Sequence, residues 1–470
     1  MINEKLHKKS LIDMLNPKTE KAYTLFHEGI LALARAEQAG IRVDNSYVSE
    51  QFGLIQQRIK DAESLFIDTN FYKHWNHVQK GKVNINSDYQ LRSFIYGTKK
   101  IKPTKLTPSG QGAVDEETLL KLGIPELEQI IEMRRLKKMS DYLDNFSREA
   151  IDGYLHPNFS LHNVVSFRSA SQNPNFQNIP IRDEEAMKIV RGALFPRPGH
   201  LLLEADFKGI EVAVAGCYTK DQQLIHDITR GDLHGDMAKQ IFILDTLDTK
   251  NNKAHDTLRK ATKNGFVFPQ FYGDYYVDCT KILCDWVKLP EGKWTTAMGI
   301  PLDTPSFTIS DHLISKGINS YKSFENHLKT VEDDFWGNRF MEYNEWKKRW
   351  WTLYQKYGYI DSLTGFRYNG VMDMKNCINY PIQGSAFHCL LWTFIEVDKV
   401  MREENWDSRL IGQIHDSLIM DVHPDELDHV TKTIQNITTV RLPDTWKWII
   451  VPLEIEISTC PVDGSWAEKN

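Results

Sequence analysis

The stretch HLLLEADFKGIE at residues 200–211 marks a sharp change in the character of the chain. Residues 200–206 have the pattern of a short buried strand that ends in a carboxylate, and residues 207–209 have that of a turn. Residues 210–218 are apolar at helical spacing. Because burying an unpaired charge is costly, Asp206 needs a partner. Asp206 either caps the next helix or belongs to a functional site, and this stretch alone does not favour one interpretation over the other.

A second apolar segment, RLIGQIHDSLIMD at residues 409–421, has a polar pair at its centre. The pattern predicts a hairpin over residues 409–422 with His415 and Asp416 at the turn. The simpler interpretation is an ordinary polar turn. If the strand at 200–206 is its neighbour, however, Asp206 and Asp416 converge. Two such carboxylates suit Mg²⁺, and a pair of metal ions is the usual clamp for in-line displacement at phosphorus.

A third segment, RKATKNGFVFPQFYGD at residues 259–274, combines cations with aromatic residues. Arg259 and Lys263 are four residues apart and therefore share a helix face, where two cations suit a triphosphate. A solvated basic helix is the alternative, but Phe268 and Tyr272 would suit base stacking.

Polar residues in two other places suit a nucleic acid. Asn379 and Gln383 lie at a predicted helix start, where they either cap the helix or donate to the minor-groove acceptors of base pairs. The basic runs at 99–105 and 134–138 are either solvated faces or a surface that follows phosphates.

The composition is that of an ordinary globular protein, with 41% hydrophobic and 26% charged residues among 470. This excludes a disordered chain and a disulfide scaffold. The net charge of −6 does not exclude a nucleic-acid partner, since charge on one face decides binding. The six cysteines form no CxxC pair, and no apolar run is long enough for a bilayer, so we expect reduced thiols in a cytosolic protein.

These segments, in this order, resemble the polymerase region of bacterial DNA polymerase I, that is, the family A DNA polymerases. Residues 206–211 resemble motif A, Arg259, Lys263 and Tyr272 with the next glycine resemble motif B, and residues 413–416 resemble motif C. Residues 168–182, 232–234, 107–110 and 451–453 with Trp466 are further matches. The resemblance covers residues 20–466 and suggests a phage-type member.

The resemblance implies an α+β fold shaped as a right hand, with an antiparallel palm sheet and helical fingers and thumb. The expected domains are a leader at 1–19, a thumb with the start of the palm at 20–155, palm at 156–216, fingers at 217–378 and palm at 379–470. The stretch before the thumb is too short for a proofreading exonuclease, so we expect none in this chain.

The resemblance also implies site residues. Asp206 and Asp416, with the Phe207 carbonyl, would hold two Mg²⁺ ions, for which Mn²⁺ can substitute. Glu211 would exclude a ribose 2′-hydroxyl, and Lys263 would protonate the leaving pyrophosphate. The residues expected at the dNTP are Glu211, His234, Arg259, Lys263, Phe268 and Tyr272. Those expected at DNA are Arg168, Asn175, Gln177, Arg182, Asn379, Gln383, Gln413 and His415.

Four departures from the family pattern matter. Ser417 replaces a second carboxylate in motif C, which we expect to be tolerated because Asp206 and Asp416 are the primary ligands. The spacing from Lys263 to Tyr272 is one residue longer than usual and contains a glycine and a proline, which predicts a kinked helix. Lys375 stands where the family often has arginine, and the segment 274–345 is longer than in bacterial members.

The sequence thus predicts a DNA-directed DNA polymerase that binds primer–template DNA and dNTPs as a monomer in the cytoplasm of a bacterial or phage-infected cell. A separate exonuclease, helicase or processivity factor is a candidate partner. One alternative is a single-subunit RNA polymerase, which the His-Asp-Ser of motif C favours and Glu211 opposes. The other is an inactive DNA-binding scaffold, which the retention of Asp206, Asp416, Arg259 and Lys263 opposes.

Overall fold

The computed structural model describes residues 17–107, 109–181, 183–304 and 306–469. Its strands are β1 (Ile41–Val43), β2 (Tyr154–Leu155), β3 (Asn158–Ser160), β4 (Ala170–Gln172), β5 (Leu194–Phe195), β6 (Leu201–Phe207), β7 (Pro301–Thr304), β8 (Phe307–Thr308), β9 (Tyr359–Asp361), β10 (Arg367–Asn369), β11 (Arg409–Ile414), β12 (Ser417–Val422) and β13 (Ile455–Thr459). The largest sheet has the order β11-β12-β6-β13.

Helices make up most of the remaining described chain. The α-helices are Pro17–Ala39, Asn45–Ile67, Asn70–Val78, Asp88–Arg92, Glu116–Lys121, Pro125–Glu149, Glu184–Arg191, Ile210–Thr219, Gln222–Thr229, Leu233–Phe242, Lys253–Thr262, Phe268–Tyr272, Tyr276–Val287, Ile309–Ser315, Tyr321–Asp334, Met341–Tyr357, Met374–Glu403, Leu427–Asn436 and Leu442–Thr445. Turns of π-helix lie at Ser93–Thr98, Lys263–Val267, Phe335–Arg339 and Ile437–Arg441, and 3₁₀ turns at Phe176–Asn178, Pro424–Glu426 and Trp466–Glu468.

The four-stranded sheet is antiparallel throughout, with β6 between β12 and β13. The predicted hairpin is confirmed, since β11 and β12 pair and leave His415 and Asp416 as the two turn residues. The apolar run 449–457 has the composition of a strand, but the strand that forms there, β13, begins only at Ile455. Pro452 lacks an N–H, and the strand starts beyond it.

Alternation along β6 assigns its two faces to different surroundings. Leu203 and Ala205 face a core shared with helix Met374–Glu403. Leu202 faces a second core that contains Trp466. On that second face exposure rises from Leu202 through Glu204 to Asp206, so the sheet opens to solvent where the strand ends.

A third, separate core lies where helices Asn45–Ile67 and Pro125–Glu149 meet the short helices between them. It contains Phe66, Trp75 and Leu119, and we call this part, residues 68–124 with the adjoining helix ends, the outer helical unit. The predicted domain boundaries stay predictions, since the largest core draws residues from both sides of several of them. Most of the predicted leader lies outside the described residues.

All six cysteines are buried and unpaired. Within the described ranges, no helix combines the length and the apolar character that crossing a membrane would require.

Candidate active site

The two aspartates predicted as metal ligands lie at the ends of adjacent strands. Asp206 pairs in register with Ser417, the residue after Asp416. The N–H of Phe207 donates to the carbonyl of Asp416 at 3.1 Å, which ties the hairpin turn to the end of β6. The turn also needs His415 at a φ of 50°, a region that histidine enters more readily than most residues. The sheet therefore brings both aspartates to one edge.

Both carboxyl groups titrate far above their usual range. Although Asp206 is exposed as a whole residue, partial desolvation of its carboxyl group, together with Glu204 and Glu456, raises its pKa to about 6. Burial, together with Glu211 and Asp206, raises the pKa of Asp416 to about 6. The edge thus concentrates negative charge that its own lysines and arginines do not neutralise.

This donor set fits a divalent cation. Among the residues of the described ranges, no group of three or more His, Cys, Asp or Glu side chains is arranged to hold a metal ion. The site instead offers two carboxylates whose charged forms are disfavoured, together with the Phe207 backbone. Mg²⁺ is typically bound by one or two such hard oxygen donors and retains several of its water ligands. The residues present therefore fit Mg²⁺ at a site that leaves room for substrate oxygens.

A cleft of about 530 Å³ extends from Asp206 to the facing helices. Three of the predicted triphosphate ligands, Arg259, Lys263 and His234, line it, together with Phe268. The anionic edge of the sheet and a cationic helix face thus lie on opposite walls of one cleft.

Arg259 is already engaged by a neighbouring carboxylate. Its guanidinium donates to both oxygens of Asp232 at 2.7–3.1 Å. Asp232 also caps helix Leu233–Phe242 by accepting from the N–H of Gly235, so it holds Arg259 at the mouth of the cleft.

Lys263 and His234 face the cleft in different protonation states. The ammonium of Lys263 lies 5.3 Å from the ring centre of Phe268 and, among the described residues, makes no ion pair. Burial, with Arg259 and Lys263 nearby, lowers the pKa of His234 to about 4, so its ring is neutral near pH 7. Its Nδ1 is buried and has no hydrogen-bond partner among those residues. The cleft therefore presents a free cation beside an unsatisfied ring nitrogen.

The predicted kink in this helix takes the form of a π turn. Helix Lys253–Thr262 continues through Lys263–Val267, where the N–H of Phe268 donates to the carbonyl of Lys263, into helix Phe268–Tyr272. A π turn absorbs one extra residue, which explains how the longer Lys263–Tyr272 spacing is accommodated. It also turns Phe268 to the cleft, while Phe266 is fully buried against Phe335.

Glu211 lies in a hydrogen-bonded group beneath the cleft. Arg168 forms an ion pair with one carboxylate oxygen, and the hydroxyl of Tyr272 donates to the other. The amide of Asn379 donates to the carbonyl of Tyr272 at 3.0 Å. Four of the predicted nucleotide and DNA ligands are therefore mutually connected.

The amides predicted to contact the minor groove are used within the protein. Gln413 is 2% exposed, accepts from Ser169 at 2.7 Å and from Gln177 at 3.0 Å, and donates to the carbonyl of His415. The side chains of Gln177 and Gln413 thus meet each other rather than lie open. His415 and Asn175 are exposed, and Gln383 is half-buried. Arg182, like Pro108 of the 107–110 match, lies outside the described residues.

Two of the departures from the family pattern have a visible role. Ser417 is buried, and its hydroxyl donates to the carbonyl of Ile414 at 2.8 Å across the hairpin turn. Lys375 forms an ion pair with Asp274 at 2.7 Å and so links helix Met374–Glu403 to the second residue after helix Phe268–Tyr272. Both therefore support the shape of the site.

A family model provides the decisive comparison. The model described as DNA polymerase family A matches residues 59–278 and 311–468. The chain belongs to DNA polymerase family A. The 32 residues between the matched ranges, 279–310, fall within the segment predicted to be longer than in bacterial members.

Similar family A proteins include the DNA polymerase I of Chloroflexus aurantiacus, which is 25% identical over 453 residues, or 94% of this chain and 42% of that protein. The DNA polymerase I of Lactococcus lactis is 28% identical over 383 residues, or 80% of this chain and 39% of that protein. The chain therefore spans about two fifths of the length of these relatives. Both relatives are bacterial and do not support the phage-type expectation.

A solved structure confirms the family A fold. The POL domain of Pol1 from M. smegmatis, in complex with a DNA primer–template and dNTP, matches with a TM-score of 0.71 and 22% identity. The match covers 94% of this chain and 70% of that chain. The predicted α+β fold with an antiparallel sheet and helical flanks is thus confirmed.

The sequence-based reasoning missed two carboxylates of this family A site. Asp232 was quoted in a motif but given no role, although an aspartate just before a helix is a capping signal. Glu456 lies opposite Asp206 on β13 and lines the cleft. Its place in the alternating run EIEI at residues 454–457 is no signal by itself, because any strand at a sheet edge shows the same pattern. The pairing of β13 with β6 reveals it.

Proposed function

We propose that this chain is a DNA-directed DNA polymerase that adds deoxynucleotides to a primer 3′ end opposite a template strand. The observation that carries the proposal is the cleft in which Asp206 lies with Lys263, Arg259 and His234, while Asp416 precedes Ser417, the residue that pairs with Asp206 on the adjacent strand. Membership of family A supports it, as does the likeness to a domain solved with primer–template and dNTP.

Asp206, Asp416 and the Phe207 carbonyl would hold two Mg²⁺ ions, for which Mn²⁺ can substitute. Bound there, the ions supply charge that stabilises the attacking and leaving oxygens of an in-line displacement. The raised pKa values of both aspartates support this role, because a bound cation stabilises the charged carboxylates against the burial and the neighbouring carboxylates that raise those values.

The residues on the opposite wall bind and orient the triphosphate. Arg259, positioned by Asp232, offers a planar fork to the phosphate oxygens, and neutral His234 offers a ring nitrogen without adding charge. The primer 3′-oxygen attacks the α-phosphorus, and the bond from that phosphorus to the bridging oxygen breaks. Lys263, which has no ion-pair partner among the described residues, donates a proton to the leaving pyrophosphate.

Sugar and base selection belong to the group around Glu211. Arg168 and Tyr272 hold the carboxylate in place, so it cannot rotate away from a ribose 2′-hydroxyl. Phe268 packs by the sugar and Tyr272 by the templating base. Asn175, Gln383 and His415, together with Arg168, Gln177, Asn379 and Gln413 once released from their internal hydrogen bonds, contact the new pair and the primer end. Because the proposed substrate is DNA, we propose that the protein acts in the cytoplasm of a bacterial or phage-infected cell.

Extension of a labelled primer on a DNA template with Mg²⁺ tests the proposal, with dNTPs and rNTPs supplied separately. We expect extension with dNTPs only, its loss in Asp206→Ala, and extension with rNTPs in Glu211→Ala. Glu454→Gln is the control, since this exposed carboxylate also lines the cleft but pairs with Lys208. Extension of rNTPs by the unchanged chain would favour an RNA polymerase, and no extension by a folded, DNA-binding chain would leave an inactive scaffold.

A further inference from the structure

An ion pair joins two parts of the chain that are far apart in sequence. The ammonium of Lys121, at the end of helix Glu116–Lys121, lies 2.8 and 2.9 Å from the two carboxylate oxygens of Asp285, on helix Tyr276–Val287. Lys121 also pairs with Glu117 one turn earlier on its own helix, at 2.8 Å. One lysine is thus shared between a carboxylate of its own helix and one from a distant helix.

The two helices belong to different structural units. Helix Glu116–Lys121 is part of the outer helical unit, whose core includes Leu119. Helix Tyr276–Val287 packs on Lys253–Thr262, the helix that carries Arg259 into the cleft. Within the described ranges, the hydrogen-bonded and ion-paired contacts between residues 68–124 and residues 217–357 all involve Asp285, which meets Lys121 and its helix neighbour Glu117.

The outer helical unit is also connected to the cleft by a second route, through the sheet that carries the two aspartates. Helices Asn45–Ile67 and Pro125–Glu149 pack along each other and run from the outer helical unit to the small sheet β2-β1-β5. The core there includes Leu202 of β6 and Ile419 of β12, the strands that present the two aspartates. The ion pair therefore closes a loop of contacts that runs from the sheet through the outer helical unit to the helices over the cleft and back.

The two residues of this ion pair differ in their relation to the ranges that the family A model matches. Asp285 falls within residues 279–310, which the family A model does not match, whereas Lys121 falls within a matched range. The contact therefore joins a matched range to one that the family A model does not match.

We propose that Lys121 and Asp285 form a latch that closes a ring around the primer–template duplex. This inference rests on the proposed function, which puts the primer end in the cleft; the outer helical unit, within the range predicted as the thumb, would lie along the duplex that leads to it. The latch can open because both side chains are 36% exposed, and because Lys121 remains paired with Glu117 when its ion pair with Asp285 breaks. Leu120 and Trp286, next to the latch on either side, are exposed, so a tighter closure has apolar surface to bury.

Charge reversal tests the latch through retention of DNA. Lys121→Glu and Asp285→Lys should each raise the rate of release from primer–template about two- to five-fold at low salt, the range expected for losing one exposed ion pair. The double reversal Lys121→Glu with Asp285→Lys should restore the original rate, and high salt should abolish the differences. Lys447→Glu, which breaks the exposed pair with Asp444 elsewhere, is the control. Release at the original rate in both single variants would overturn the latch.

Crosslinking tests the ring directly. Because all six native cysteines are buried, Lys121→Cys with Asp285→Cys can be joined by a short bis-maleimide. If the protein encircles DNA, the crosslinked form loaded beforehand stays on primed circular DNA in high salt and leaves linear DNA. Equal release from circular and linear DNA would refute the ring. Because retention needs no nucleotide addition, a failure of primer extension by the unchanged chain would count against the proposed function and not against the ring.

Discussion

Gly384, in the middle of helix Met374–Glu403, is where the fold leaves no room for a side chain. A Cβ placed there would lie 3.4 Å from Cζ of Tyr368 and closer still to the Tyr368 hydroxyl and the Ser166 carbonyl oxygen. The carbonyl belongs to the main chain and cannot turn away as a side chain would. Gly384→Ala should therefore force the helix from its place, at a cost of about 1–3 kcal/mol.

The helix propensity of alanine works in the opposite direction. It favours alanine over glycine by about 1 kcal/mol inside a helix, which offsets part of that cost. Gly53→Ala, in helix Asn45–Ile67, is the matched control because no atom lies within 4 Å of its added Cβ. Gly53→Ala should raise the free energy of unfolding by up to about 1 kcal/mol. The free energy of unfolding of Gly384→Ala should lie about 1–3 kcal/mol below that of Gly53→Ala, and this difference is the cost of the clash alone.

Urea denaturation of both variants measures this difference. Tyr368→Phe removes one of the two obstructing oxygens, so the double variant should recover part of the loss and the Ser166 carbonyl should prevent full recovery. The helix also carries Asn379 and Gln383, so we expect the KM for dNTPs to rise as well. If Gly384→Ala were as stable as Gly53→Ala, the close approach of this helix to Ser166 would be refuted.

Two further predictions concern buried rings. His388 is buried, accepts from Thr364 and donates to the Phe167 carbonyl, and burial lowers its pKa to about 3. Between pH 6.5 and 3 the unfolded chain binds a proton at this residue that the folded chain does not, so the free energy of unfolding falls as the pH falls, by about 2 kcal/mol at pH 5. Denaturation of His388→Gln at pH 5 and pH 7 should show a smaller change in stability between the two pH values than the unchanged chain does. An equal change would contradict this prediction. Phe266→Ala should lower the free energy of unfolding by about 3–5 kcal/mol, because the side chain is fully buried. Phe268→Ala should mainly raise the KM for dNTPs. Equal losses of stability in the two variants would contradict the opposite orientations of the two rings.

Prediction from sequence succeeded where chemistry and spacing are local. The apolar runs around Asp206 and around His415–Asp416 predict two strands with carboxylates at their ends, and both strands are present. The glycine and proline after Lys263 predict a disturbed helix, but not the π turn that takes up the extra residue. A π turn depends on which carbonyl each N–H finds after packing, and spacing alone does not specify that choice.

Local patterns were also insufficient where a residue's partner is distant. Gln177 and Gln413 have the composition of groove-reading amides, yet 236 positions of separation hide that they bond to each other. The same holds for Lys121 and Asp285, each of which looks like an ordinary surface charge in its own helix.

The sequence by itself therefore determined the strand before Asp206, the hairpin around His415 and Asp416, the cationic helix and, through the order of these segments, the family. These follow from alternation, spacing and residue type, which act over a few neighbouring positions. Only the tertiary structure decided that Glu456 lies beside Asp206, that Asp232 holds Arg259, and that helix Tyr276–Val287 reaches the outer helical unit. Such contacts depend on how strands pair and helices pack, so they are set by energies summed over the whole fold and not by any one stretch.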